Sequence, residues 1–277
     1  MDAVASRVYI GDLHGRLWKF ITNALSTPIL FADLGAGQPI AVPVALPKLP
    51  VTTAGVPYVF AESGAESRAY GADSWLAPAS GQFRYFGLRD DAPDDDATPP
   101  SVADSCPAPP APVVPPPNGA CLWTGEFTTA TAAMGGDFRG TAQPATVYQT
   151  DLVGRVFFVG TRFVPPPPQS PLSTPVPPFP CQSRFDSIVF ALGAETGLAA
   201  YDLNASGDDA YVVFDNSRIV GVTMDVDPVA GYSVPRFDEG LNRGGAQPAP
   251  AGRKGQRPPL GSDVISATAL TGPRVCR

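Results

Sequence analysis

Three stretches of this chain are so rich in proline that no helix and no central β-strand can pass through them. Nine of the nineteen residues from 99 to 117 are proline, as are nine of the sixteen from 165 to 180. Proline lacks the amide hydrogen that a β-ladder needs. We therefore predict Pro-rich surface insertions between strands at about 91–120, 164–182 and 244–261, with docking segments for SH3-type domains as the alternative.

The segments between these stretches are short, β-branched and aromatic, which is typical of β-strands. Hydrophobic residues make up 44% of the 277-residue chain, which is enough to build a core. Hardly any window repeats apolar residues at helical spacing, so long helices are not expected. The sequence predicts one all-β domain over residues 1–277, with strands that include 7–10, 17–20, 57–60, 82–86, 155–159, 187–190 and 210–214.

One pattern, V-Y-x-x-D-L-x-G-R followed by an apolar and an aromatic residue, occurs at residues 8–18 and again at 147–157. A strand, a D-L-x-G turn and a second strand make a β-hairpin, in which Asp caps the turn and Gly adopts a positive φ. A looser third instance covers residues 187–197. Recurring hairpins of this kind are typical of β-propeller blades, with a β-sandwich as the alternative. The repeat predicts that Asp12 and Asp151 lie in equivalent turns.

The charge balance excludes some classes of partner. The chain has 19 Lys and Arg against 26 Asp and Glu, a net charge of −7. With no basic stripe, it would be repelled by a phosphate backbone, so we predict that it binds no nucleic acid. No apolar run approaches the roughly 18 residues of a membrane-spanning helix. Residues 1–7 lack the basic and apolar regions of a signal peptide, so we expect no export signal within this sequence.

Four cysteines and a single histidine limit the chemistry available to the chain. With no C-x-x-C pair and only His14, zinc sites and Cys/His or Ser/His/Asp catalysis are poorly supported. We interpret the cysteines as disulfides, which implies an oxidising compartment. Of the three pairings, we favour Cys106–Cys121 across the first Pro-rich stretch, with Cys181 joined to Cys276; four free thiols are the alternative.

Several segments, in the same order, resemble the C-terminal β-propeller of the PilY/PilC family, the large proteins at type IV pilus tips. Residues 8–20, with the sequence VYIGDLHGRLWKF, resemble the blade hairpin that is the family's most distinctive motif. Residues 38–43 resemble the strand that follows it, and 82–90 resemble part of a later strand pair. The segments 154–158 and 181–208 resemble the family's later G-R-V-F-F and D-L-N-G-D-G segments.

The resemblance implies that the chain contains the C-terminal blades of an incomplete propeller, since the family's first blades precede the G-D-L motif. An incomplete propeller leaves strand edges open and needs a second chain or an upstream region to complete it. We therefore expect a non-enzymatic type IV pilus-associated adhesin or biogenesis protein fragment, extracellular at the pilus tip or cell surface. The expected partners are minor pilins, other pilus-tip proteins, and a host or abiotic surface.

Two alternatives to the adhesin belong to other functional classes. One is a secreted propeller enzyme such as a quinoprotein-like dehydrogenase, which would need a cofactor-stacking Trp beside reactive cysteines. The sequence places no such pair of features around its three tryptophans, Trp18, Trp75 and Trp123. The other alternative is a lectin-like binding module.

One loop has the ligand pattern of a calcium site. Oxygen-bearing side chains occur at alternate positions from residue 202, and Gly207 stands at the bend, as an oxygen cage for Ca²⁺ requires. Positions 9 and 12 of an EF-hand loop are Ala210 and Val213, so we expect a weak site. An Asx-rich β-turn is the alternative. The expected Ca²⁺ ligands are Asp202, Asn204, Ser206, Asp208 and Asp209.

Three further polar groups are expected to have no catalytic or metal-binding role. His14 is expected to be a turn residue, because an imidazole with no second histidine rarely forms a site. The carboxylates of residues 90–96 are expected to form a solvated charge run. Asp225 and Asp227 lie on one face of a predicted strand, where they would form a catalytic pair only inside a cleft.

Overall fold

The structure is a computed structural model and describes fourteen separate stretches of the chain. The described residues are 7–21, 27–46, 58–64, 83–90, 106, 121–127, 138–140, 143–147, 154–164, 184–199, 211–215, 217–226, 233–239 and 266–269. Their regular secondary structure consists of fourteen β-strands and no helix. The all-β prediction is therefore confirmed for the described part of the chain.

The strands are short, as expected from the spacing of turn residues and prolines. Their bounds are β1 (Arg7–Gly11), β2 (Arg16–Ile21), β3 (Ile29–Asp33), β4 (Tyr58–Glu62), β5 (Arg84–Arg89), β6 (Cys121–Glu126), β7 (Arg139–Gly140), β8 (Ala145–Val147), β9 (Arg155–Val164), β10 (Arg184–Gly193), β11 (Tyr211–Phe214), β12 (Ile219–Val226), β13 (Ser233–Glu239) and β14 (Ser266–Ala269).

These strands form four sheets in chain order. The first sheet is β1–β2–β3 and the second is β4–β5–β6. The third has the order β11–β10–β9–β7, with β8 also paired to β9, and the fourth has the order β12–β13–β14. All pairings among the described strands are antiparallel except β13 with β14. Ala45 adds a short edge to the second sheet, because it exchanges two backbone hydrogen bonds of 2.9 Å with Phe60 of β4.

The sheets are packed face to face in the order of the chain. One apolar cluster joins the first and second sheets through residues such as Leu17 and Phe86. A second cluster joins the other face of the second sheet to the third, and a third cluster joins the third sheet to the fourth. The second and third sheets are therefore buried on both faces. All five residues of β4 are buried. Burial on both faces explains why the sequence of β4 is almost entirely apolar and does not alternate with polar residues.

Buried polar contacts also cross each boundary between neighbouring sheets. Asp90, after β5, accepts hydrogen bonds from side chains of the first sheet. Trp123 Nε1 donates to the carbonyl of Ala194 over 3.1 Å, which joins the second sheet to the turn after β10. The amide of Ile219 donates to Ser187 Oγ over 2.9 Å, which joins the third sheet to the fourth. Each contact satisfies polar groups that would be costly to bury alone.

Glycines in the second sheet make room for large rings on the neighbouring strands. Gly87 lies directly opposite Trp123, and Gly125 lies directly opposite Tyr85. A Cβ atom at either glycine would collide with the ring across from it. The sequence positions of these glycines therefore determine where the core can hold its bulkiest side chains.

The two copies of the V-Y-x-x-D-L-x-G-R pattern do not form equivalent hairpins. In β1–β2 Val8 lies opposite Phe20, so equivalence would place Val147 opposite Val159, but Val147 lies opposite Arg155, four residues away. The prediction of equivalent hairpins is therefore wrong, and Asp151 itself lies outside the described residues. The physical reason is that the register of a hairpin depends on the length of its loop as well as on the residue types in its turn.

The first two Pro-rich stretches separate strands that pair with each other in antiparallel ladders. One lies between β5 and β6 and the other between β9 and β10, and both strand pairs form regular ladders. Within the first stretch, the structure describes Cys106. It is joined by a disulfide to Cys121, the first residue of β6, with the two Cα atoms 5.4 Å apart. This geometry is compatible with the favoured Cys106–Cys121 pairing, and Cys181 and Cys276 lie outside the described residues.

The disulfide is expected to stabilise the fold substantially. It closes a loop with a sequence separation of 15 residues, and loop-closure entropy predicts that a Cys106→Ser variant loses about 3 kcal/mol of unfolding free energy. Urea unfolding of the two proteins measures the loss. Cys121→Ser opens the same bridge and should show a loss of similar size. Non-reducing peptide mapping that finds Cys106 as a free thiol in the wild type would contradict the assignment.

Candidate functional site

The turn between β1 and β2 is organised by one carboxylate. Asp12 Oδ1 accepts hydrogen bonds from the amides of His14 and Arg16, at 2.8 and 3.0 Å. Its Oδ2 accepts a hydrogen bond of 2.9 Å from Trp18 Nε1. Gly15 has a φ of 80°, a backbone conformation that residues other than glycine rarely adopt. The expected capping role of Asp12 is therefore confirmed, and His14 lies exposed in the turn, as expected.

These contacts make the Asp12 turn sensitive to acid. Partial burial raises the pKa of Asp12, but the hydrogen bonds from Trp18 and from the amides of Arg16 and His14 outweigh it and hold the pKa below its ordinary value. A lowered pKa means that this stabilisation is present above the unfolded-state pKa and is lost as the pH falls through the folded-state pKa.

We expect Asp12→Ala to lose about 1–2 kcal/mol of unfolding free energy at pH 7, as for the loss of a capping side chain. The difference from the wild type should shrink below about pH 4, where the carboxylate takes up a proton. Denaturant unfolding across this pH range measures both effects. Asp12→Asn keeps an acceptor oxygen without the charge, so its stability should vary less with pH. An Asp12→Ala penalty that is constant down to pH 2 would contradict this account.

A cluster of charged and polar side chains lies buried between the first and second sheets. Asp90 Oδ1 contacts Lys19 Nζ at 3.1 Å, and both side chains are almost fully buried. Asp90 Oδ2 accepts hydrogen bonds from Arg7 at 3.1 Å and from the Tyr9 hydroxyl at 2.5 Å. One carboxylate thus gathers three donors from β1 and β2. The pairing compensates for the burial of charge, which would otherwise be very costly.

This cluster corrects the expectation for residues 90–96. Asp90 is 2% exposed, so it is not part of a solvated charge run; residues 91–96 lie outside the described residues. Burial is the main cause that raises the pKa of Tyr9 far above its ordinary value. The hydrogen bond from Tyr9 to Asp90 and the negative charge of Asp90 raise the pKa further. The Tyr9 hydroxyl therefore keeps its proton at physiological pH and donates it in the hydrogen bond to Asp90. The sequence signal for this pair was Lys19, which shares its strand face with the core residue Leu17.

A cavity lies where the edges of three sheets meet. Its volume is about 410 Å³, and it is lined by Ala45 and Leu46 beside β4, by residues 143–145 at β8, and by residues 220–222 in β12. Gln143 Nε2 donates a hydrogen bond of 3.0 Å to the carbonyl of Val44, which ties the edge of the third sheet to that of the second. None of these lining residues has an ionisable side chain, so they offer no acid or base.

The structure describes few of the other predicted site residues. The calcium-loop residues Asp202, Asn204, Ser206, Asp208 and Asp209 lie outside the described part, as does Asp227. Asp225 lies in β12, but its side chain is not described. Within the described stretches, no group of three or more His, Cys, Asp or Glu side chains is placed to hold a metal ion. In those same stretches there is also no helix that could cross a membrane.

No family model, curated protein or solved structure matches this sequence.

Proposed function

We propose that this chain is the β-propeller portion of a type IV pilus-associated surface protein, and that it acts by contact with other molecules without catalysing a reaction. The observation that carries this proposal is the stack of four sheets in chain order, with the edges of three of them lining one cavity. The resemblance of residues 8–20 to the PilY/PilC blade hairpin supplies the link to the pilus.

The sheet arrangement supports a propeller over a two-layer sandwich. In a sandwich, each sheet has one face in the core and one face toward solvent. Here the second and third sheets have apolar clusters on both faces. Successive sheets that pack face to face and direct one edge to a common axis are the arrangement of propeller blades. In this proposal, the cavity lined by residues 45–46, 143–145 and 220–222 lies at that axis.

Two observations support a contact function outside the cell. The Cys106–Cys121 bridge is of a kind that persists in oxidising compartments, such as the periplasm and the cell surface. The cavity at the sheet edges is lined by side chains that do not ionise, so its described lining offers no acid or base for catalysis. Minor pilins, other tip proteins, and a host or abiotic surface are the proposed partners.

A weak calcium site at residues 202–209 is part of the proposal and rests on the sequence pattern. Oxygen ligands with few carboxylates predict a dissociation constant of the order of 10⁻⁴–10⁻³ M, typical of extracellular modules. Titration calorimetry with millimolar Ca²⁺ tests the site: the wild type should release heat and Asp202→Ala should not. Equal heats from both proteins would contradict the calcium site and favour an ordinary Asx-rich β-turn at these residues.

The pilus assignment is tested by locating the chain in its native cell. An epitope-tagged chain should be found with the pili that are sheared from a piliated strain, together with pilin-like proteins. A matched strain that lacks the major pilin controls for the release of unattached surface protein. Equal amounts in the sheared fractions of both strains would contradict the proposal, as would a chain that stays in the cytoplasm.

A further inference from the structure

The last described strand, β14, reaches the fourth sheet from a distance along the chain. It pairs with β13 in parallel, with Phe237 opposite Ala267. The other pairings among the described strands are antiparallel. Residues 240–265 connect β13 to β14, so this pairing is not determined by a tight turn, as that of a short hairpin is.

The strand that receives β14 is anchored by contacts of its own. On its other side, β13 forms an antiparallel ladder with β12. Phe237 is fully buried, and its ring centroid lies 5.2 Å from that of Phe214 in the third sheet. The pairing with β14 begins directly after Pro235, which has no amide hydrogen to donate to a ladder. The outer edge of β13 over residues 236–239, here called the acceptor edge, is therefore fixed by contacts that do not involve β14.

The structure shows what kind of segment the acceptor edge takes. The sequence of β14 is Ser-Ala-Thr-Ala, four small residues with little apolar surface to bury. Its pairing is parallel, which is slightly less stable per residue than an antiparallel one. Main-chain hydrogen bonds give such a strand most of its affinity, as when an extended peptide adds to the edge of a sheet. These bonds are the same whether the strand belongs to the same chain or to another.

We propose that the acceptor edge also takes β14 of a second copy of this chain, so that two copies exchange this strand. The exchanged strand is identical to the original, so the strand pairing of the closed monomer is re-formed in the dimer. The two forms differ in the connection, because a tethered strand is held near its edge at an effective concentration of millimolar order. Exchange therefore becomes extensive where copies are concentrated to a similar level. The proposal does not depend on the pilus assignment.

Disulfide trapping between two variants of the full chain tests the exchange. One variant carries Asp238→Cys and the other Thr268→Cys, at positions that lie opposite each other in the ladder. Neighbouring strands lie about 4.8 Å apart, which a disulfide can span. Mixed at about 1 mM in a glutathione redox buffer, the variants should form a 238–268 bridge between chains, and at least about 10-fold less of it at about 10 µM. Peptide mapping distinguishes this bridge from those of the native cysteines.

The matched control uses Ser233→Cys in place of Asp238→Cys, in the same strand but before the acceptor edge, and it should form little bridge to position 268. A single chain with both Asp238→Cys and Thr268→Cys should close the bridge within itself, which verifies that the substituted strands still pair. Failure of that internal bridge would overturn the proposal. So would the absence of the bridge between chains at about 1 mM, or an equal yield with Ser233→Cys. These results leave the pilus-shearing experiment unaffected, so the two proposals fail independently.

Discussion

Replacement of Asp90 by alanine is expected to lower the unfolding free energy by about 3–5 kcal/mol, the usual cost of removing one partner from a buried ion pair. Lys19 Nζ lies 3.1 Å from Asp90, and its side chain is only 2% exposed. Loss of the carboxylate leaves that ammonium group buried beside the space where its partner stood. The Tyr9 hydroxyl loses its acceptor at the same time.

Chemical denaturation at pH 7 measures this loss. The matched control is Arg16→Ala, which breaks a pair with Asp33 whose two side chains are 46% and 39% exposed and whose closest atoms are 3.9 Å apart. It should change stability by less than about 1 kcal/mol. Lys19→Met combined with Asp90→Leu removes both charges and should recover part of the loss. An Asp90→Ala penalty no larger than that of Arg16→Ala would contradict the structural role of the cluster.

Replacement of Trp123 by alanine is expected to destabilise the chain by a similar amount, about 3–5 kcal/mol. The indole is fully buried at the boundary between the second and third sheets. Its ring centroid lies 6.0 Å from that of Phe158 and 6.1 Å from that of Phe60. Truncation leaves a cavity between two sheets and removes the hydrogen bond to Ala194, because Nε1 is the donor.

Trp123→Phe separates these two contributions. Phenylalanine retains most of the apolar volume but cannot donate to the Ala194 carbonyl, so we expect a loss of about 1–2 kcal/mol. Urea unfolding followed by circular dichroism measures both variants without depending on tryptophan fluorescence. Leu198→Ala, at an exposed turn position, should change stability by less than about 0.5 kcal/mol. If Trp123→Ala were as mild as Leu198→Ala, the boundary between these sheets would not be a packed core.

Part of the fold could be predicted because its causes are local. β-branched and aromatic residues between proline-rich stretches predicted the strands, and the D-L-H-G sequence predicted that Asp12 caps the β1–β2 turn. The Cys106–Cys121 bridge was predictable for the same reason, since only 15 positions separate the two cysteines along the chain. The calcium loop, the pilus association and the Cys181–Cys276 bridge remain predictions from sequence.

The remaining features depend on contacts between distant parts of the chain. Lys19 and Asp90 are 71 positions apart, and Asp90 appeared in sequence to begin an exposed acidic run. The repeated turn motif suggested equivalent hairpins, but Val147 of β8 lies opposite Arg155, four residues from the position that equivalence requires. Local sequence thus determined which segments are strands and how their tight turns close. Tertiary packing alone decided which of the described sheet faces meet and which charge is buried between them, because burial depends on the neighbours that folding brings together.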